Sequence, residues 1–296
     1  MILTSTLFTN LNPYELNKNS KSLQVLVDKI KLESYQELYE LETDENASLQ
    51  DDLKAVLEVL GEKDQTLSHL RYLWMTLILS LAVEPTLEYY DPSNSLPKII
   101  IKLLEEFLQK IISSSGKTIN IIPNQLDQLI NEIFKSHESY FHKQGANFQE
   151  ISEALDVFYN AIKVIKYDQA VESILEILYD CLEGYAIFPG SYGRRELFDW
   201  WLEDVVPASY KLRPPKSFYV VEGLENKEEI KLRQTRLLKK ISNEIWLYLP
   251  ELMLESNKHN NYIFSTPGKI NGGSFKKSVK ILDREYHSKS PQLVYS

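Results

Sequence analysis

The chain has 296 residues, of which 43% are hydrophobic and 25% are charged, and its formal net charge is −9. This is the composition of a globular protein long enough to bury a large core, and the negative charge argues against a general nucleic-acid-binding protein, whose surface is basic. A single cysteine, Cys181, excludes an intramolecular disulfide, and only ten glycines favour long helices over many short strands.

Apolar residues recur at helical spacing along most of the chain. The apolar run 72–83 corresponds to about 18 Å of helix, well short of the roughly 30 Å hydrocarbon core of a bilayer, and predicts a buried core helix. Gly61, Pro85 and Gly116 mark expected helix ends. In chain order, the predicted helices span 21–41, 52–60, 64–84, 96–115, part of 118–145, 148–165, 167–184, 194–210 and 226–256.

The predicted architecture is all-α: an irregular multi-helix bundle with a small extended insert and a flexible basic C-terminal tail. The aromatic and β-branched stretch 216–223 is the candidate for the extended insert. Residues 258–296 carry seven Lys or Arg against two acids, a local charge of +5, which is typical of a flexible tail. The expected divisions are an N-terminal helical region (1–165), a C-terminal helical region packed with it as one body (166–257) and the tail.

Histidine and cysteine positions indicate neither a metal site nor a catalytic nucleophile. In the stretch HESYFH, His137 and His142 are five residues apart, so on a helix their rings point about 140° apart and cannot share one ion. Cys181 has acidic neighbours, Asp180 and Glu183, which disfavour a reactive thiolate. No P-loop, nucleophile-elbow or dinucleotide-binding motif occurs. We therefore predict no catalytic residue, no metal and no cofactor.

The stretch 183–219 combines three glycines, four prolines, two tryptophans and two adjacent arginines. Gly193 permits a sharp turn, and Arg194 and Arg195 follow in the first turn of a predicted helix. Backbone amides at a helix start attract anions, so Ser191, Gly193 and Arg194 form a candidate anion-binding site. The alternative is that both arginines pair with the protein's own carboxylates.

Trp200 and Trp201 lie on this helix, which is apolar on nearly all sides. Such a helix is either deeply buried or shared between the core and a partner. Because Trp and Arg are enriched in binding hot spots, Trp200 and Trp201 join Arg194 and Arg195 in a candidate partner-binding surface. The alternative is that both tryptophans belong to the core alone.

The last predicted helix is amphipathic, with an apolar side formed by Ile230, Leu237, Ile241, Ile245 and Tyr248. A basic face on the opposite side can bind acidic protein, anionic lipid or nucleic acid, or it can simply be solvated. We add this face to the candidate partner-binding surface. Its residues are Arg233, Arg236, Lys239 and Lys240.

The spacing of thirteen residues within 184–254 forms a recognisable pattern. These residues are Tyr185, Ile187, Pro189, Ser191, Gly193, Leu197, Leu202, Val205, Tyr210, Lys216, Ser217, Leu249 and Pro250. Their spacing resembles that in the carbon-dioxide-hydration subunits of specialised NADH-dehydrogenase-like complexes in photosynthetic bacteria. The resemblance implies a helical protein that docks on a membrane complex. Family members are longer and use zinc, and because none of the matched positions is a plausible metal ligand, no catalytic residue carries over.

The predicted function is therefore that of a non-catalytic helical interaction protein, an assembly or regulatory factor that binds a larger protein complex. One alternative is a carbon-dioxide-hydration lyase subunit of a membrane complex, as the resemblance implies. A second is nucleic-acid binding through the basic last helix and tail. The expected location is cytoplasmic, because a single cysteine is typical of a reducing compartment and the N-terminal stretch lacks the basic region of a signal peptide. The alternative is peripheral attachment to a membrane complex, without a transmembrane segment.

Overall fold

All regular structure in the part of the chain that is described is helical, which confirms the all-α class. The computed structural model describes residues 13–33, 49–61, 64–113, 126–128, 130–131, 147–182, 186–187, 194–218 and 225–264. The main helices are α1 (Pro13–Glu33), α2 (Leu49–Leu60), α3 (Gln65–Tyr90), α4 (Leu96–Ser113), α5 (Phe148–Lys163), α6 (Ala170–Leu182), α7 (Arg194–Trp200), α8 (Val206–Lys211) and α9 (Lys227–Phe264). A 3₁₀ turn, Tyr167–Gln169, precedes α6, and a π-helical turn, Trp201–Val205, joins α7 to α8.

Helix α3 is the centre of the bundle. Asp64 caps its start by accepting hydrogen bonds from the backbone amides of Thr66 (2.8 Å) and Leu67 (3.3 Å). By length and hydropathy α3 could cross a membrane, but 89% of its most apolar window is buried inside the protein. Helices α2, α4, α5, α6, α8 and α9 all pack against it. The prediction of a buried core helix is confirmed.

Pro85 does not end α3, contrary to the sequence-based prediction, because the helix continues to Tyr90. Proline lacks a backbone N–H, so it leaves the carbonyl of Leu81, four residues earlier, without its helical donor. The side-chain amide of Gln234 on α9 donates a hydrogen bond to that carbonyl. A second helix thus supplies the hydrogen-bond donor that proline lacks. The expectation that proline ends a helix considers only neighbouring residues, so it could not include this contact.

The helical stretch from α7 to α8 agrees with the predicted helix 194–210, apart from its π-helical turn. It ends at Leu212, whose φ of 52° is left-handed, and the amide of Arg213 donates to the carbonyl of Ala208 at 2.9 Å. Leu212 is buried, which explains why the position is not a glycine. Residues 216–218 form no strand, and the rest of the predicted extended insert lies outside the described residues.

Helix α9 is longer than predicted, since it extends to Phe264 with Pro250 inside it. The predicted start of the tail at residue 258 therefore falls within the helix. The reason is visible in the sequence: no proline or glycine occurs between Pro250 and Pro267. The remainder of the predicted tail lies outside the described residues.

Most of the buried apolar side chains in the described part of the chain form one connected cluster. It includes Leu73 of α3, Phe158 of α5, Ile174 of α6 and Ile241 of α9, so it spans both sides of residue 165. The apolar side of α9 faces this cluster through Ile241 and Ile245, whereas Ile230 is buried outside it. Tyr248, predicted on the same side, is 42% exposed.

Candidate functional site

The two adjacent tryptophans lie in the core and not on the predicted partner-binding surface. Trp201 is 1% exposed and packs beside Phe198, with ring centroids 6.0 Å apart, and Trp200 is 9% exposed. The physical reason is that the α7–α8 stretch has neighbours on several sides: α6 beside α7, α1 beside the π-helical turn, and α2 and α3 beside α8. The structure therefore corrects the surface assignment of Trp200 and Trp201 in favour of the core alternative.

The loop that follows α8 explains why tryptophans gather here. Backbone carbonyls in the last turn of α8 and in this loop accept hydrogen bonds from buried or half-buried side chains. The carbonyls at the end of the helix would otherwise lack donors. The bonds are Arg71 Nε to Tyr210 O (3.0 Å), Trp246 Nε1 to Lys211 O (3.2 Å), Ser242 Oγ to Leu212 O (2.8 Å), Trp74 Nε1 to Arg213 O (2.9 Å) and Trp200 Nε1 to Ser217 O (3.1 Å). These hydrogen bonds connect α3, α7 and α9 to the end of α8 and the loop after it.

Arg195 lies beside the protein's own carboxylates, as the alternative to anion binding required. Its Nε is 3.9 Å from Asp199 Oδ2, and Lys31 of α1 contacts both Asp199 and Glu203. Arg194 is the first residue of α7. Ser191, Gly193 and the side chain of Arg194 lie outside the described residues, so the candidate anion-binding site stays a prediction.

The four basic residues of α9 that were assigned to the predicted partner-binding surface fall into two classes. Arg233 pairs with Glu84 (2.9 Å) and Glu88 (3.3 Å) of α3, and Lys240 pairs with Glu105 of α4 (2.8 Å). Arg236 and Lys239 are exposed, and neither makes an ion pair with any described residue. Arg233 and Lys240 thus hold α9 on the bundle, and only Arg236 and Lys239 remain available to a partner.

The Glu84–Arg233 pair is electrostatically unequal. Burial raises the pKa of the Glu84 carboxyl even though Arg233 lies beside it. Burial by itself lowers the pKa of Arg233, but the carboxylates of Glu84 and Glu88 outweigh it and raise that pKa overall. The two pKa shifts have different main causes because Glu84 is buried and Arg233 is half-exposed. The cost of removing charge from water therefore falls mainly on the carboxylate of Glu84.

Two exposed leucines flank the unpaired cations of α9. Leu232 is 48% exposed and Leu247 is 68% exposed. At 100° per residue, Leu232, Arg236, Lys239 and Leu247 lie within an arc of about 80°. We call these four residues the outer face of α9. The sequence analysis predicted the two cations of this face but not its leucines. The available signal was the presence of two leucines on the polar side of an otherwise amphipathic helix.

The ion pairs of Arg195 and those of α9 involve different helices. Arg195 pairs within α7 and lies near Lys31 of α1, whereas the ion pairs of α9 go to α3 and α4. That the two groups form one partner-binding surface stays a prediction.

A polar groove between α5 and α6 was not predicted from sequence. It has a volume of about 480 Å³, and its lining includes Asp156, Asn160, Lys163, Glu172, Ser173 and Glu176. On each helix these residues recur three or four positions apart, which is the spacing of a single helical face. That periodicity was the available signal, but the stronger apolar periodicity of the same helices concealed it.

The described residues hold no group of three or more His, Cys, Asp or Glu side chains placed to bind one metal ion. Cys181 is buried, and burial together with Asp180 and Glu153 raises the pKa of its thiol well above the ordinary value. A neutral buried thiol is a poor nucleophile.

Comparison with protein-family models, with curated proteins and with solved structures finds no match to this chain. The resemblance to carbon-dioxide-hydration subunits, and the lyase alternative that depends on it, therefore stay predictions.

Proposed function

We propose that this chain is a non-catalytic helical interaction protein, an assembly or regulatory factor that binds an acidic surface of a larger protein complex. The observation that carries the proposal is the outer face of α9. It places two cations that pair with no described carboxylate between two exposed leucines along one helix.

The charge balance of the chain supports an external partner for these cations. The chain has 42 acidic residues against 33 basic ones, yet Arg236 and Lys239 pair with none of the described carboxylates. Arg233 and Lys240, on the same helix, do find such partners. Since unpaired cations beside an apolar contact favour a complementary acidic surface, the partner we propose presents carboxylates around a small apolar recess.

The test is affinity purification of the tagged protein from its native cells, with Arg236→Glu/Lys239→Glu as the test variant. Lys54→Glu/Lys102→Glu is the matched control, because it makes the same charge change at exposed positions on α2 and α4. We expect wild type and control to retain the same stoichiometric protein complex. The test variant is expected to lose it, since juxtaposed like charges cost several kcal/mol at an interface.

A Leu232→Ser/Leu247→Ser variant separates the apolar contribution from the charges. We expect it to weaken the complex without altering the dependence of binding on salt. Equal recovery of the complex with all variants would overturn the assignment to the outer face of α9. A complex that nuclease treatment dissolves would instead assign the cations to nucleic-acid binding.

A further inference from the structure

The groove between α5 and α6 carries an inference that is independent of the outer face of α9. One wall is formed by the polar side of α5 and the other by Glu172, Ser173, Glu176 and Asp180 of α6. Asp156, Glu172 and Glu176 make no ion pair or hydrogen bond with any described residue. Three carboxylates without partners thus line one groove, and Lys163 is the one cation in its lining.

A second observation concerns Ser173, which is 4% exposed and lines the groove. Serines in helices often donate to a carbonyl of the preceding turn, as Ser209 does to Val205. Ser173 makes no hydrogen bond to any described residue, and its hydroxyl is not sealed off from the groove. A buried hydroxyl without a partner, facing a cleft, has its hydrogen-bonding capacity available to a ligand.

The groove already holds one ammonium group. Lys163 Nζ lies 3.9 Å from the centroid of the Tyr159 ring and 3.2 Å from Asn160 Oδ1. An aromatic face and an amide oxygen are favourable neighbours for ammonium groups. Burial raises the pKa of Asp156, while the charge of Lys163 opposes that shift, so a further cation at the groove would favour the ionised carboxylate.

The arrangement of the carboxylates selects the shape of the ligand. They are distributed along the groove, and no three of the described acidic, His or Cys side chains are placed to share one metal ion. Glu172 and Glu176 are one helical turn apart, a rise of about 6 Å, which is the spacing of ammonium groups joined by three or four methylene groups. The volume of about 480 Å³ is within the range of small-molecule sites.

We propose that the α5–α6 groove binds a linear polyamine, with ammonium groups at Glu172 and Glu176 and an N–H donated to Ser173 Oγ.

The experiment is isothermal titration calorimetry of the full chain with spermidine, at low and at physiological salt. Glu172→Gln/Glu176→Gln is the test variant, and Glu58→Gln/Glu106→Gln is the control, with the same change in net charge at exposed positions on α2 and α4. We expect saturable one-to-one binding by wild type and control, and a loss of about tenfold in affinity for the test variant, since two exposed ion pairs are removed.

A Ser173→Ala variant tests the hydroxyl and is expected to weaken binding by a smaller factor than the double variant. Circular dichroism of each variant confirms that it is folded. Absence of saturable binding by wild type, or equal weakening in test and control variants, would overturn the proposal. A synthetic peptide with the sequence SFKKSVK, residues 274–280 of the predicted tail, tests a basic protein segment as the ligand. Binding of this peptide at the groove without binding of spermidine would also overturn the proposal.

Discussion

Trp200 and Trp201 are neighbours in the chain, but their indole N–H groups have different environments. The N–H of Trp200 donates to the carbonyl of Ser217, whereas the buried N–H of Trp201 has no hydrogen-bond partner among the described residues. Large aromatic side chains are favoured both in cores and at interfaces because both environments reward the burial of apolar area. Their position in the sequence therefore did not decide between the two.

Replacing Trp201 by Ala is expected to lower the free energy of unfolding by about 3–5 kcal/mol, because it empties a fully buried site. Trp201→Phe should cost less, since the N–H group it removes makes no hydrogen bond. Arg195→Ala, at a partly exposed position, should change stability by less than about 0.5 kcal/mol. Urea denaturation followed by circular dichroism measures all three. A Trp201→Ala variant as stable as wild type would contradict the core placement.

His69 makes the stability of the fold depend on pH. Its Nε2 lies 2.9 Å from the carbonyl oxygen of Val164, and its ring packs against Phe107 and Tyr167. Burial lowers the pKa of His69 below 6.5, although the hydrogen bond to Val164 opposes the shift. The unfolded chain therefore binds more protons than the folded protein between the folded pKa and about 6.5.

It follows that the stabilisation from neutral His69 is fully present above about pH 6.5 and is lost as the pH falls towards the folded pKa. We expect the free energy of unfolding of wild type, minus that of His69→Gln, to decrease between pH 7 and pH 5. Urea midpoints over this range test the expectation, and subtracting the variant removes the contribution of other titrating groups. A difference that is constant with pH would exclude this role for His69.

At the scale of helices, the crossing of α9 over α3 compensates for Pro85. The hydrogen bond from Gln234 to the carbonyl of Leu81 lies beside the ion pair between Arg233 and Glu84. Two consecutive residues of α9 therefore contact two residues of α3 that are about one helical turn apart. Helix α3 stays continuous through its proline because α9 is docked there.

A double-mutant cycle tests this compensation. Gln234→Ala should destabilise the protein by about 1–2 kcal/mol, because it leaves the buried carbonyl of Leu81 without a donor. In a Pro85→Ala background the same substitution should cost clearly less, since the new amide at position 85 can donate to that carbonyl. Chemical denaturation of the four proteins gives the coupling energy. Equal costs in both backgrounds would show that Gln234 does not compensate for the proline.

At the scale of the whole molecule, the single connected core predicts cooperative unfolding. Trp74 reports on α3, Trp200 and Trp201 report on the α7–α8 stretch, and Trp246 reports on α9, whereas circular dichroism reports on every helix. We expect the denaturation curves from fluorescence and from circular dichroism to coincide. Separate transitions would instead support two regions that divide near residue 165.

Much of the helical architecture was determined by the sequence itself. The apolar spacing of α3, α5 and α6, the shortage of glycine and the stop at Gly61 are local properties, and helix formation depends on contacts between residues three or four positions apart. The amphipathic character of α9 was predictable for the same reason, as was the buried position of its isoleucines.

The tertiary structure alone decided which polar and aromatic residues are used inside the fold. Trp74 and Arg213 are 139 positions apart, and Arg233 and Glu84 are 149 apart, so no periodicity links them. Trp200, Arg233 and Lys240 make hydrogen bonds or ion pairs inside the protein, whereas Arg236 and Lys239 stay exposed. The sequence shows which side chains are able to bind a partner, but their availability depends on long-range contacts that form only when the helices pack.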